Sequence, residues 1–308
     1  MGKEPILAQF TEPVAGENTR LAVLADLHLS VDGKGTWRVS HRTADRLEAA
    51  VRSLNERSDL DAVLFIGDLV QAGLPREYEA FDRVIGELDH PFFAIPGNHD
   101  LISRGSDDSL ELAEFERRYT PGELPYHERI GGIDLLALNS NRSTRDSVAD
   151  SFEGRLEPET FAWLEDKLET VERPLVAVHH ALPGTRSLLM DTMDRLPTSG
   201  GSPDFENADE LLATLAAGNA PLVLTGHLHV PGVVTMSGVR EFTLPSLGPY
   251  PSAYTVLEID GSGTTARLHP IADYDDRVEA FAHGIDHVRV QLSAAQLAGL
   301  PLVDESSQ

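Results

Sequence analysis

The stretch Ala62-Val-Leu-Phe-Ile-Gly-Asp68 joins five apolar residues to a glycine and a carboxylate. A continuous apolar run of this length, bounded by polar residues, is typical of a buried strand. Gly67 allows the backbone to turn sharply and a ligand to approach closely. Because a carboxylate buried alone is very costly, Asp68 at the mouth of such a strand predicts a metal ion or a cationic partner.

Four further stretches repeat this design, in which an apolar run is followed by Asp, Asn or His. They are Leu21-Ala-Val-Leu-Ala-Asp26-Leu-His28, Pro91-Phe-Phe-Ala-Ile-Pro-Gly97-Asn98-His99-Asp100, Pro174-Leu-Val-Ala-Val-His179-His180 and Pro221-Leu-Val-Leu-Thr-Gly226-His227-Leu-His229. Five predicted strands therefore each deliver polar side chains at their carboxyl ends, where open α/β sheets bind their ligands.

The composition is that of a folded protein with a sizeable core. The chain has 308 residues, 41% of them hydrophobic, and no cysteine, which excludes disulfides and thiolate ligands. The first ten residues contain no apolar segment typical of a signal peptide, and no apolar run approaches the length of a transmembrane helix. We therefore expect a cytoplasmic protein without a membrane partner.

The formal charge is −25, with 50 acidic residues against 25 basic ones. Such a surface should repel nucleic acids and anionic membranes, so neither is an expected partner. Only three of the basic residues are lysines, at positions 3, 34 and 167. A large acidic surplus with scarce lysine resembles proteins of salt-loving archaea, and an ordinary acidic protein from a GC-rich genome is the alternative.

Hydrophobic periodicity places helices and strands between these stretches. Apolar residues at helical spacing predict helices over 43–57, from Pro75 onward, and over 109–119, 158–172 and 205–217. Strands are predicted over 21–25, 91–95, 126–130, 133–139, 175–178, 222–224, 233–236, 240–244, 254–259 and 265–268.

The remaining segments are expected to be less regular. Residues 1–19 are predicted as a loop or a short edge segment, 181–204 as a long irregular connection, and 276–300 as weakly helical. We divide the chain into one domain over 1–270 and a C-terminal extension over 271–308. The extension is expected to pack on or beside the domain and to be frayed at its end.

Oxygen and imidazole donors dominate the five strand ends. This mixture suits Mn, Fe, Zn, Co or Ni better than Ca or Mg. Seven donors are too many for one open catalytic ion, and they suit two ions that share a bridging carboxylate. The candidate metal ligands are Asp26, His28, Asp68, Asn98, His179, His227 and His229.

The ordered set Asp-x-His, Gly-Asp, Gly-Asn-His-Asp, a strand that ends in His, and Gly-His-x-His resembles the calcineurin-like metallophosphoesterase superfamily. The resemblance covers about residues 20–230 and is strongest to the class III cyclic nucleotide phosphodiesterases. It implies an α/β fold, a four-layer αββα sandwich in which two mixed β-sheets lie face to face between helices. It also implies two divalent or trivalent metal ions as cofactors.

The resemblance also implies a role for each residue. The first ion would take Asp26, His28, Asp68 and His229, and the second would take Asp68, Asn98, His179 and His227. His99 would contact the substrate phosphate and protonate the leaving oxygen, and Asp100 would hold the His99 ring by its other nitrogen. His180 stays an alternative to His179, because side chains alternate along a strand end and only one of the pair should face the ions.

The implied reaction is the hydrolysis of a small phosphodiester, such as a cyclic nucleotide, by attack of a hydroxide that bridges the ions. A phosphomonoesterase and a catalytically silent metal-binding scaffold remain as alternatives. The sequence has neither a G-x-S-x-G elbow nor an H-E-x-x-H helix. Histidines outside the five stretches are interpreted as structural: His41, His90, His127, His269, His283 and His287. Four arginines could bind the distal groups of a substrate: Arg38, Arg142, Arg186 and Arg195.

Overall fold

A computed structural model describes residues 4–101, 110–141, 152–196 and 204–306 of the chain. Its strands are β1 (Ile6–Phe10), β2 (Thr19–Leu24), β3 (Ala62–Ile66), β4 (Phe92–Ile95), β5 (Tyr126–Ile130), β6 (Ile133–Ala137), β7 (Leu175–Ala177), β8 (Leu222–Thr225), β9 (Gly232–Met236), β10 (Val239–Thr243), β11 (Ala253–Asp260) and β12 (Gly263–Pro270). Its α-helices are α1 (Thr43–Asn55), α2 (Pro75–Ile85), α3 (Leu112–Tyr119), α4 (Pro158–Leu168), α5 (Pro183–Arg195), α6 (Ala208–Ala217), α7 (Tyr274–His283) and α8 (Val288–Ala298).

The strands form two six-stranded mixed sheets. The first sheet has the order β1-β12-β11-β2-β3-β4, and the second has the order β5-β6-β7-β8-β10-β9. Parallel pairing joins β2, β3 and β4 in the first sheet and β6, β7, β8 and β10 in the second. The carboxyl ends of β2, β3 and β4, like those of β7 and β8, therefore lie side by side at one edge of their sheet.

Three clusters of buried side chains show how the layers stack. Leu64 and Ile66 of β3 join the cluster between the sheets, with Leu135 and Leu222 from the second sheet. Val63 and Phe65, which point the other way, pack with Leu47 and Phe81 of α1 and α2. On the far side of the second sheet, Val176 and Val223 pack with Phe161 and Leu211 of α4 and α6. This order of helices, sheet, sheet and helices confirms the predicted four-layer sandwich.

The predicted strands that precede the polar clusters are all present, most of them with ends shifted by one or two residues. The Gly131–Gly132 turn joins β5 to β6 as a hairpin. The predicted helices over 43–57 and 158–172 end earlier, at Asn55 and Leu168, and the one over 205–217 begins only at Ala208. The predicted helix start at Ser109 lies outside the described residues. The N-terminal segment forms β1, an edge strand that pairs with β12.

The prediction of an irregular connection over 181–204 was wrong for its first part, because α5 occupies Pro183–Arg195, whereas residues 197–203 lie outside the described part of the chain. Only Gly184, Thr185 and Leu189 of this helix are buried, so its sequence carries almost no amphipathic period. Its support comes from another element. Glu241 on β10 accepts hydrogen bonds from the backbone N–H groups of Leu182 and Thr185, at 2.6 and 2.9 Å. A carboxylate at a helix N-terminus satisfies orphan donors and complements the helix dipole.

The C-terminal segment forms two helices, α7 and α8, where the sequence predicted one weakly helical region. Residues beyond α8 pair with β1 of the first sheet and also contact β10 of the second. The Leu302 N–H donates to Leu7 O at 2.8 Å, and Arg240 pairs with Glu305. The predicted fraying therefore does not reach Glu305, although the boundary of the domain at residue 270 stays a prediction. Among the helices that the structure describes, none is long and apolar enough to cross a membrane.

Candidate metal centre

All seven candidate metal ligands lie in turns that directly follow strands of the two sheets. Asp26 and His28 follow β2, Asp68 follows β3 and Asn98 follows β4, all in the first sheet. The second sheet contributes His179 after β7, and His227 and His229 after β8. All seven side chains are buried. The structure therefore places all seven in buried turns at strand ends, and six of them, all but Asn98, contribute donor atoms to two compact groups.

The backbone is strained at this meeting point. Five of the seven candidate ligands are non-glycine residues in the left-handed region, with φ between 48° and 66°: Asp26, His28, Asp68, His227 and His229. Each such residue costs about 1–3 kcal/mol and persists only where its surroundings hold it. The same strained conformation recurs at the ends of β2, β3 and β8. This recurrence indicates that these turns serve to aim the side chains at the centre and do not add stability.

Two glycines let the loops of the two sheets approach each other. A Cβ atom on Gly67 would come within 2.7 Å of the Gly97 nitrogen and collide with the His179 ring. A Cβ atom on Gly97 would collide with the backbone and carboxylate of Asp68 and lie 2.8 Å from His179 Cε1. Gly67 has a φ of 73°, which glycine adopts without steric cost. The close approach at Gly67, which the sequence predicted for a ligand, is made in the structure by His179 and Gly97.

A first group of donors surrounds His28. Its Nε2 lies 2.9 Å from His229 Nε2 and 3.3 Å from Asp68 Oδ2. His229 Nε2 in turn lies 3.5 Å from Asp26 Oδ1. One donor atom from each of these four residues lies within 4.8 Å of the others. These are the four residues that the resemblance implied for the first ion.

A second group shares Asp68 with the first. His179 Nε2 lies 3.5 Å from Asp68 Oδ1, and one donor atom each from Asp68, His179 and His227 lies within 4.8 Å of the other two. The opposite nitrogen, His179 Nδ1, donates to Ile66 O at 2.9 Å and so aims Nε2 at the carboxylate. Asp68 therefore stands between the two groups, as a bridging ligand must.

Whether metal ions fit this site can be judged from the buried polar atoms that have no hydrogen-bond partner in the protein. Among the described residues, no hydrogen bond reaches Asp26 Oδ2, either side-chain atom of Asn98 or either ring nitrogen of His227. Buried polar groups are nearly always paired, and an orphaned one costs about 1–3 kcal/mol. Cations held by these atoms would remove that cost, so the donor set fits two metal ions.

The charge states of the buried groups agree with this fit. Burial lowers the pKa of His28, His227 and His229 well below the usual range, so these imidazoles are neutral, the form that binds metals. Burial raises the pKa of Asp26 to about 7, with the Asp68 charge adding to the rise. The two carboxylates thus repel each other unless a cation lies between them.

In the protein without bound ions, Asp68 and His179 form an ion pair, and each shifts the pKa of the other. Burial alone would raise the pKa of Asp68, but the neighbouring imidazoles of His179, His99 and His28 hold it well below its usual value. Burial would likewise lower the pKa of His179, but the charge of Asp68 raises it to about 9. In a metal complex the ion would take the place of this proton, because only a neutral His179 can be a ligand.

The structure corrects the expected role of Asp100. This carboxylate does not hold the His99 ring: its Oδ2 accepts from Gly97 N at 2.8 Å and its Oδ1 from Val70 N at 3.1 Å. His99 Nδ1 instead donates to the Gln71 carbonyl oxygen at 2.6 Å. Asp100 therefore fixes the loops after β3 and β4, whereas a backbone carbonyl, which no sequence pattern marks, orients His99.

The two neighbouring histidines after β7 have different surroundings. His179 faces Asp68, whereas His180 Nδ1 lies 2.7 Å from the Ser140 hydroxyl oxygen, and its ring lies 4.6 Å from that of His227. The geometry thus favours His179 as the ligand, whereas His180 packs against His227.

Sequence reasoning missed an aromatic group beside the centre. The Trp37 ring lies 5.3 Å from the His229 ring and stacks on His287 at 3.9 Å. Arg38 and Arg289 both place their guanidinium groups over Trp37, at 4.7 and 5.5 Å. His287 and Arg289 come from the C-terminal extension, about 60 residues beyond the last motif, and neither lies in a recognisable pattern. Of the other arginines named from the sequence, Arg186 faces Asp204, and Arg142 lies outside the described residues.

The profile of the calcineurin-like phosphoesterase family matches residues 19–231, which contain all five motifs. The chain belongs to this family. The phosphoesterase is 30% identical, over 83% of its own length and 94% of the relative's, to a probable cyclic nucleotide phosphodiesterase of Synechococcus sp. strain ATCC 27144. It is 28% identical to a probable cyclic nucleotide phosphodiesterase of Psychrobacter sp. strain PRwf-1, over 68% of its own length and 58% of that relative.

A solved structure gives independent support for the fold. The phosphoesterase superposes on a dimetal phosphatase from Danio rerio with a TM-score of 0.61, over 85% of its own length and 98% of that chain, at 15% sequence identity. At this identity the likeness establishes the shared fold alone. Family membership and the buried His and Asp donors together make this chain a metal-binding phosphoric ester hydrolase.

Proposed function

We propose that the phosphoesterase hydrolyses a small phosphodiester, a cyclic nucleotide or a glycerophosphodiester, with two metal ions. The observation that carries the proposal is the pair of buried donor groups that share Asp68. When bound, two ions of the Mn, Fe, Zn, Co or Ni type supply Lewis-acid activation of the phosphoryl group and of water.

We assign Asp26, His28, Asp68 and His229 to the first ion, and Asp68, Asn98, His179 and His227 to the second. The short distances within each group and the orphaned atoms of Asn98 and His227 support this division. The Gly97 N–H bond to Asp100 holds the loop that carries Asn98. The His99 N–H donates to Asp68 Oδ1 at 2.9 Å, so the loops after β3 and β4 are joined directly at the bridging carboxylate.

His99 is the proposed general acid. Its Nδ1–H is held by the Gln71 carbonyl, and the other ring nitrogen, Nε2, would exchange a proton with the leaving oxygen. The ring is buried and lies edge-on to His28, with ring centroids 4.6 Å apart, so it borders the first donor group. Asp100 positions this loop and takes no part in proton transfer.

The substrate class is inferred from charge and from relatives. Two relatives carry the name probable cyclic nucleotide phosphodiesterase, and one of them aligns over 94% of its own length. The formal charge of −25 disfavours a nucleic acid strand, which needs a basic track. We further propose that the protein acts in the cytoplasm and that salt screens its acidic surface. Its oligomeric state is left open.

Hydrolysis of bis-(p-nitrophenyl) phosphate and p-nitrophenyl phosphate by metal-stripped protein tests the proposal. Mn, Zn, Co and Ni are added back singly, in high and low KCl. Metal-dependent cleavage of the diester should be lost in Asn98→Ala and retained in Asn18→Ala, an exposed asparagine used as control. Preference for the monoester would indicate a phosphatase. Absence of turnover with every metal in folded protein would refute the enzyme and favour the silent scaffold.

A further inference from the structure

A third group of metal-binding side chains lies outside the buried centre. His41, Glu279 and His283 each place one donor atom within 4.8 Å of the other two. Within the described part of the chain, three groups of three or more metal-binding side chains occur, and the other two form the buried centre. All three side chains are partly exposed, with fractional accessibilities of 32, 27 and 37%, so a dissolved ion can reach them.

The three residues come from two elements. His41 lies in a short 3₁₀ turn, Ser40–Arg42, whereas Glu279 and His283 lie one turn apart on α7 and so share a face of that helix. His41 Nε2 lies 2.8 Å from Glu279 Oε1, and His283 Nε2 lies 3.9 Å from the same oxygen. The carboxylate oxygen therefore stands between two imidazoles.

The spacing of the rings suits a shared ion. Two imidazoles on one tetrahedral zinc, each with a Zn–N distance of about 2.0–2.1 Å, place their centroids roughly 5 Å apart. The rings of His41 and His283 are 5.9 Å apart, slightly further, and rotation of these partly exposed side chains can close the difference. In the buried centre the corresponding pairs are 4.7 Å apart for His28 and His229 and 5.2 Å apart for His179 and His227.

Neighbouring charges prepare Glu279 to be a ligand. Arg42 donates from Nε and Nη2 to Oε2, at 3.1 and 2.9 Å, which fixes the carboxylate and leaves Oε1 toward the histidines. Glu279 also lines a cavity of about 370 Å³ whose charged residues include four aspartates and two arginines: Asp45, Asp273, Asp275, Asp276, Arg42 and Arg46. This acidic surplus attracts cations.

We propose that His41, Glu279 and His283 form a third metal site, which binds zinc or a similar transition-metal ion. Two imidazoles and one carboxylate with an open fourth position are a zinc donor set, and they discriminate against calcium and magnesium, which prefer oxygen ligands. Within the described residues the site is distinct from the buried centre and shares no ligand with it.

Such an ion would fasten the segment beside the buried centre to α7. The segment 29–39 precedes His41 and carries Trp37, which packs against His229. Gly35 of the same segment lies against His283, where an added Cβ would come within 2.8 Å of Cε1. The ion would thus cross-link two elements that already touch, and the role of the site is to hold this segment in place.

Zinc content per chain tests the site independently of any hydrolytic activity. Wild type, His41→Ala and His283→Ala are dialysed to equilibrium against the same zinc buffer, and bound zinc is measured by atomic emission. Each variant should bind one ion fewer per chain than wild type, and His283→Cys should restore that ion, because thiolate is also a zinc ligand. Dialysis against magnesium should give no difference between wild type and variants.

His127→Ala is the matched control. His127 Nε2 lies 2.8 Å from Asp134 Oδ1, the same kind of partly exposed pair as His41 and Glu279, and in the described structure no third donor joins it. Its zinc content should equal that of wild type. Equal zinc in wild type and both histidine variants would overturn the site, as would a loss in only one of them. Since the measurement counts ions, it stands even if the protein hydrolyses no diester.

Discussion

The two sheets make unequal contributions to the metal centre. The turns of the first sheet carry both candidate carboxylate ligands, Asp26 and Asp68, together with Asn98, whereas those of the second sheet carry only imidazoles. The second sheet does have a buried carboxylate, Glu241, but it faces the N-terminus of α5 and not the centre. Neither sheet alone holds a complete donor group, since each group combines residues from both. The metal centre is therefore an interface between sheets, and bound ions should cross-link them.

Removal of the ions should have the largest effect, because it breaks this cross-link entirely. Chelator-treated protein should lose hydrolytic activity and, at metal concentrations a thousandfold above Kd, about 4 kcal/mol of stability per ion. Urea unfolding of stripped and reloaded protein, measured by circular dichroism, checks the prediction. Equal stability in both forms would mean that the sheets are held together without help from the ions.

Substitutions on the two sheets should differ in how many ions they remove. Asp68→Asn should release both ions and lower diester hydrolysis by more than about a hundredfold, because even residues behind a ligand contribute 10–100-fold. His179→Ala should weaken only the second ion. Metal content and kcat/KM are measured for both variants, with the exposed Asp89→Asn as control. Loss of a single ion in Asp68→Asn would contradict the bridging role.

The buried carboxylate of the second sheet should make stability depend on pH. Burial raises the pKa of Glu241 from 4.5 to about 7, so between these values the folded protein holds a proton that the unfolded chain has released. The contribution of Glu241 to the free energy of unfolding should therefore fall as pH rises through this window, by up to about 3 kcal/mol.

Glu241→Gln isolates that effect, because glutamine does not titrate. Urea unfolding of chelator-treated protein at several pH values from 4.5 to 7 should show the free energy of unfolding of wild type falling relative to that of the variant as pH rises. The other buried groups contribute equally to both proteins: Asp26 and Asp100, whose pKa values burial raises, and His28, His227 and His229, whose pKa values burial lowers. Identical pH dependence would show that the hydrogen bonds at the start of α5 keep Glu241 ionised.

Packing between the loops should give the smallest effect. Gly97→Ala places a methyl group against Asp68 and His179, which should cost about 1–3 kcal/mol and weaken metal binding. Gly122→Ala is the control, because nothing lies within 4 Å of a Cβ atom there. Thermal unfolding and metal titration of both variants check this. A variant at Gly97 as stable as the control would mean that the loops can separate without loss.

The sequence by itself determined the strands and the donors of this phosphoesterase. Short apolar runs bounded by polar residues, such as Ala62–Ile66, are typical of buried strands, and polar residues at their ends lie at the sheet edge because the chain leaves the sheet there. Periodicity also located α1 and α2, whose apolar faces are pronounced. These features depend on neighbours along the chain, which a sequence displays directly.

Only the tertiary structure decided what depends on distant residues. The helix α5 has little apolar periodicity. Its N-terminus is stabilised by Glu241, over 45 residues away, which accepts hydrogen bonds from the first N–H groups of the helix. His99 is oriented by the Gln71 carbonyl, which has no side-chain signature, and His41 meets His283 only because α7 packs against the turn at Ser40–Arg42. Contacts of this kind arise from the way elements pack in space, and local patterns of residue type do not encode them.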